Sequence, residues 1–213
     1  MTTTLNFAKA TQGTTLNFSK DLGVDMSNVN IVLNVNWTAN LSVDLDSCLA
    51  LVSGESSGSK PGFLSKLFGA KSDSSNVKAF VHTFDRRCGD NDGVKFHGDD
   101  LTGGWASGEF IEIDTSKLGD DVTEIIPSVL AYSNVALNSL DSAGMRVYIG
   151  TPTKVVKPLF EVDLTDMSSS VRGAQFGKLV KNSAGEWEWI TDIKYTNTSG
   201  SSGFRKLKDI AGQ

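Results

Sequence analysis

The chain has 213 residues, of which 39% are hydrophobic and 21% charged, with a formal net charge of −5 at pH 7. That length buries a full core as one domain, and that composition excludes wholesale disorder. The acidic balance argues against a nucleic-acid surface, so no nucleic-acid partner is expected.

Cys48 and Cys88 stand in no Cys-x-x-Cys pattern and only two histidines accompany them. Neither a zinc site nor a disulfide framework is expected, and both thiols are read as reduced. Residues 1–10 lack the basic flank and apolar stretch of a signal peptide, and no run reaches bilayer length. The expected location is the cytoplasm, and membrane contact is not expected.

The first segment holds a short repeat: Thr3-Thr4-Leu5-Asn6-Phe7-Ala8-Lys9 recurs as Thr14-Thr15-Leu16-Asn17-Phe18-Ser19-Lys20, with Gln12-Gly13 between. Two copies are too few for a solenoid and suit a hairpin or two successive edge strands. Asn30 to Trp37 places Ile31, Leu33, Val35 and Trp37 on one face and asparagines on the other, the period of a half-buried strand. In Val43 to Val52 the residues Val43, Leu45, Leu49 and Leu51 share a face, while Asp44, Asp46 and Cys48 share the opposite one. Side chains two apart on a strand lie about 7 Å from each other. Asp44 and Asp46 therefore repel unless exposed to solvent or neutralised by a cation.

Residues from about 54 to 77 form an insertion rich in Ser, Gly and Lys, with Phe63, Leu64, Leu67 and Phe68 at helical spacing between Pro61 and Gly69. The spacing predicts a short amphipathic helix, and residues 60–71 with the two termini are the expected surfaces for protein partners or self-association. Ala79 to Phe84 reads as a strand, and Asp85 to Gly93 as a hairpin turn.

Lys95-Phe96-His97-Gly98-Asp99-Asp100-Leu101-Thr102-Gly103-Gly104 packs two carboxylates, a hydroxyl and three glycines into one turn. Glycine lets carbonyls turn inward and Asp supplies charge, a combination suited to a hard cation, although such turns also occur unliganded. His82 and His97 are read as sheet or loop residues. Further strands are expected at Phe110–Asp114, at Val122–Tyr132, where Pro127 marks an edge strand or bulge, and at Met145–Ile149 and Leu159–Leu164. Ala174–Lys181 and Gly185–Ile190 bracket a hairpin turn at Asn182-Ser183-Ala184. Phe204, Leu207 and Ile210 fall on one face of a C-terminal helix in the tail that begins near residue 199. The sum is an all-β protein: a two-sheet antiparallel β-sandwich with a short helical insertion and a C-terminal helix, one domain spanning 1–213.

Val43-Asp44-Leu45-Asp46, Phe96-His97-Gly98-Asp99-Asp100-Leu101-Thr102-Gly103, and Phe176-Gly177-Lys178-Leu179 leading to Gly185-Glu186-Trp187 together resemble the TerD family, over roughly residues 14–195. These are calcium-binding β-sandwich proteins linked to tellurium resistance and general stress responses in bacteria. The resemblance implies calcium at one end of the sandwich, held by Asp44, Asp46, Asp99, Asp100 and the Leu101 carbonyl. It also implies a nonenzymatic binding or scaffold role.

Family members have Asn where this chain has Asp100, and continue into a second acidic run of which Glu109 is the one carboxylate left here. Calcium takes about six to eight oxygens, so the resemblance implies at most one well-occupied site in place of the family's two. The sequence holds no nucleophile or phosphate-loop motif, and catalysis is not expected. Two other readings stay open: a structural subunit of a large homo-oligomeric particle such as a virion, and a carbohydrate-binding sandwich using Trp105, Trp187 and Trp189.

Overall fold

Alternating apolar and polar residues give most segments one inward and one outward face, and two sheets bury the inward faces against each other. The computed structural model describes residues 5–39, 43–54, 77–82, 93–101, 108–132, 134–164 and 169–213. The first sheet is built from β1 (Ala8–Lys9), β3 (Asn30–Thr38), β6 (Val94–Phe96), β7 (Glu109–Asp114), β9 (Ser142–Thr151) and β10 (Lys154–Asp163), in the order β1-β10-β9-β3-β7-β6. The second contains β2 (Thr15–Asn17), β4 (Leu45–Ser53), β5 (Val77–His82), β8 (Val122–Ala131), β11 (Gly173–Gln175), β12 (Lys178–Lys181), β13 (Trp187–Ile190) and β14 (Lys194–Thr196). Among the described residues one α-helix, α1 (Gly200–Ala211), lies across it. Among the described residues every pairing is antiparallel except β1 with β10. The fold is the expected β-sandwich with its C-terminal helix.

The core follows the sequence pattern. Ile31, Leu33, Val35 and Trp37 of β3 join Leu45, Leu49 and Leu51 of β4 in one cluster with Phe18, Phe160, Phe176 and Trp189. Trp37 Nε1 donates to the Val43 carbonyl at 2.7 Å, which lets a large indole be buried with its one polar atom satisfied. Phe18 meets Phe160 edge to face with centroids 6.4 Å apart. Truncating such a buried ring costs about 3–5 kcal/mol.

The repeat does form two successive edge strands, one on each sheet. In the first copy Ala8 and Lys9 pair with Phe160 and Glu161, whereas in the second Thr15 to Asn17 pair with β13. Corresponding residues have different fates: Phe18 is fully buried, while Phe7 sits under the Arg146 guanidinium, 5.2 Å from its ring centroid. Tertiary partners, not the local sequence, decide which part of each copy extends. The free margin of β10 is protected by Lys154, Lys157, Pro158 and two register shifts, devices that discourage edge-to-edge pairing.

Pro127 corrects the sequence reading. β8 is central, paired with β4 on one side and with β11 and β12 on the other. Those two short strands are halves of one row that breaks at Phe176-Gly177, beside Pro127, whose carbonyl accepts from the Phe176 N–H. The missing proline donor thus falls where the ladder is interrupted. The strand expected across Ala174–Lys181 is accordingly split, and β12 turns into β13 through Asn182–Gly185 as anticipated. The insertion helix around Phe63–Phe68 and residues 85–92 of the expected turn lie outside the described residues.

Candidate metal centre

The alternation of β4 sends Leu45, Ser47 and Leu49 toward the core and Asp46 and Cys48 to the opposite face. Among the described residues β5 pairs with β4 from Cys48 to Val52. The Ser47 N–H donates to Glu109 Oε2. Glu109 is the first residue of β7, opposite Val35 and therefore facing inward, and it is 0% exposed. Its Oε1 has no hydrogen-bond partner.

A carboxylate oxygen of each of Asp46, Asp99 and Glu109 lies within 4.8 Å of the other two. Two oxygens that bind one calcium ion at about 2.3–2.6 Å are at most about 5 Å apart, so this spacing admits a shared ion without rearrangement. Asp46 is 1% exposed, and Asp99 is exposed. The trio forms a short path from solvent into the sandwich.

Burial and the mutual repulsion of carboxylates raise the two acids of the site whose shifts are resolved. Burial first, and then the nearby Asp46 and Asp99, push the Glu109 carboxyl up to about 8 despite the hydrogen bond from Ser47. Burial and the charges of Asp99 and Asp100 also raise Asp44, whose Oδ1 is buried without a hydrogen-bond partner. None of the ion pairs among the described residues includes Asp44, Asp99 or Glu109. An oxygen-only donor set with an orphaned, buried carboxylate oxygen fits a hard divalent cation.

The other predicted residues take supporting places. Asp100 accepts from the Gly108 N–H at 2.7 Å and so closes the mouth of the turn. Gly108 has φ of +90°, and a Cβ there would come within 2.4 Å of the Val35 carbonyl, so only glycine lets the chain pass β3 and deliver Glu109. Leu101 turns its side chain to solvent, 56% exposed, leaving only its carbonyl as a donor. The Ser47 backbone is a member that sequence reasoning missed. Its one signal was a polar residue on the apolar face between Leu45 and Leu49.

Glu112 accepts from Asn30 and is paired with His97, so that histidine is held by the sheet as expected. Trp189 is fully buried with Nε1 bonded to Thr191, and Trp187 is 7% exposed with the Lys181 ammonium over its ring. Neither offers an open stacking face for a sugar, and Trp105 lies outside the described residues. Among the described residues, no helix is long and apolar enough to cross a membrane.

No protein-family model and no curated protein matches the sequence. Solved structures do. A protein of unknown function, SAV2460, superposes with a TM-score of 0.61 at 16% identity, over 85% of this chain and 98% of that one. SCO6318 from Streptomyces coelicolor A3(2), a homologue of the telluride resistance protein TerD, superposes with a TM-score of 0.61 at 12% identity over the same shares. With its two sheets and the acidic residues gathered at one end, the chain carries a divergent TerD-like β-sandwich fold.

Proposed function

We propose that the protein is a nonenzymatic, TerD-like binding protein that takes one calcium ion at Asp46, Asp99 and Glu109, with Asp44 adding negative charge and Asp100 fixing the turn. The observation that carries this reading is Glu109: a fully buried carboxylate, with one oxygen lacking any hydrogen bond, at ion-sharing distance from two aspartates. A bound divalent cation would replace the proton that burial otherwise leaves on Glu109. It would also draw the exposed turn bearing Asp99 onto the end of β4, joining the two sheets across their open end.

Calorimetric titration and a calcium-dependent melting shift test the reading, with magnesium as the comparison ion. Saturable calcium binding that Glu109→Gln abolishes supports it, and an unchanged melting temperature at millimolar calcium overturns it. The likeness to a homologue of a telluride resistance protein extends the proposal to a part in resistance to tellurium or general stress. Survival on tellurite with and without the gene checks that extension. Self-association through residues 60–71 and the termini belongs to the same scaffold reading and is measured by sizing at several concentrations.

A further inference from the structure

Helix α1 covers a sheet face that is not uniformly apolar. Across β5, β4, β8 and β11 the residues His82, Cys48, Ser128 and Gln175 stand in one register row. This is the side the helix covers, since Cys48 and Leu130 pack with Phe204 and Leu207. The His82 ring stacks on Phe204 with centroids 4.2 Å apart and planes 13° from parallel. Ser128 and Gln175 are 1% and 2% exposed, yet the Ser128 hydroxyl and Gln175 Oε1 have no hydrogen-bond partner. The fully buried Cys48 thiol has a weak contact with the Asp46 carbonyl, at 3.9 Å. Farther along the same face the covered residues Ala50, Val52 and Ile126 are apolar.

A face built to stay dry under a helix carries apolar residues in every row, because each buried polar atom without a partner lowers stability. A thiol, a hydroxyl and an amide side by side suit a state in which the helix is off. α1 also belongs to neither sheet, and lifting it breaks no strand pairing.

We propose that Cys48 is a modification site gated by α1, which lifts from the sheet as a unit and admits a low-molecular-weight disulfide. In the exchange the Cys48 sulfur bonds to one sulfur of the reagent. The other sulfur leaves as a thiol and carries the proton that Cys48 gives up, so the disulfide is consumed and no other oxidant is needed. The group left on Cys48 occupies the space of Phe204 and Leu207 and holds α1 away. Ser128 and Gln175 then meet water or the polar adduct.

The test uses the full chain carrying Cys88→Ser, so that Cys48 is its single thiol, with dithionitrobenzoate as the disulfide. Labelling rate is followed against urea, alongside global unfolding read from tryptophan fluorescence. Release of α1 alone exposes far less surface than global unfolding, so labelling at low urea is expected to rise with urea much less steeply than global unfolding does. Leu207→Ala is expected to raise the low-urea rate by about 10-fold or more. Ser128→Ala removes an orphaned hydroxyl from the closed state and is expected to slow labelling without lowering the unfolding midpoint. A labelling rate that climbs with the slope of global unfolding at every urea concentration, in the parent and in Leu207→Ala alike, overturns the proposal. So does an unchanged or faster rate in Ser128→Ala.

Discussion

Glu109 and Glu161 belong to the same sheet and are both shielded from water, but the fold treats them in opposite ways. Glu161 lies on the outer face of β10, with Lys9 Nζ at 2.7 Å and Arg146 Nε at 3.1 Å. Burial pushes its carboxyl up, but the hydrogen bonds and charges of those two bases outweigh burial and hold it below its ordinary value. Glu109 faces inward and belongs to none of the ion pairs among the described residues, and burial raises it to about 8. Burial alone does not say what a carboxylate is for. The company it keeps does: Glu161 sits in a surface ion-pair network, whereas Glu109 sits beside further carboxylates.

Removing the charge at each site separates the two most sharply. Glu109→Gln is expected to weaken calcium binding by 100-fold or more, on the order of 3 kcal/mol, because a buried charged ligand is lost, while the melting temperature of the calcium-free protein holds or rises. Calorimetry and a thermal scan on one sample read both effects, and an unaltered calcium affinity would break the comparison. Glu161→Gln is expected to leave calcium affinity untouched.

The pH dependence has opposite signs in the two regions. Between the ordinary glutamate value of 4.5 and about 8, folded calcium-free protein holds a proton on Glu109 that the unfolded chain has released. Stability therefore declines as pH rises through that window. On the proposed function, saturating calcium is expected to displace the proton and remove the decline. Glu161, held low, contributes stability that is present above the unfolded value and is lost as pH falls through its folded value. Urea unfolding at stepped pH, with and without calcium, distinguishes the two slopes.

Smaller effects sharpen the picture. Glu161→Gln is expected to cost about 1 kcal/mol at neutral pH, since Arg146 and Lys9 lose a shared partner but keep access to water. Lys9→Ala, at the exposed end of that network, is expected to cost about 0.5 kcal/mol or less in the same urea assay. A larger loss would mean that β1 is anchored chiefly by its ion pairs rather than by its pairing with β10.

Much of this was legible in the chain itself. The alternation in β3 and the apolar face of β4 follow from a period of two, and the acidic residues marked at Asp46, Asp99 and Glu109 do converge. Less legible was the depth at which they sit. Asp46 looks like a solvated strand residue, and its burial depends on neighbours distant in sequence. Pro127 misled because a missing donor is harmless where the adjacent row is broken, and that break is a property of the sheet. The tryptophans of Gly185-Glu186-Trp187-Glu188-Trp189 misled in the opposite direction, since the strand face that receives them is set by pairing with β12 and β2.

The repeated N-terminal segment has a consequence for the order of assembly. Ala8 waits for Phe160, Asn17 for Glu188, and the Gln12 side chain for the backbone of Ile193. These N-terminal segments therefore finish one margin of each layer with partners far along the chain, and neither margin can be hemmed until those partners have been made. Until then the nascent chain carries two unfinished borders, a long interval in which a chaperone or a second copy could reach them first.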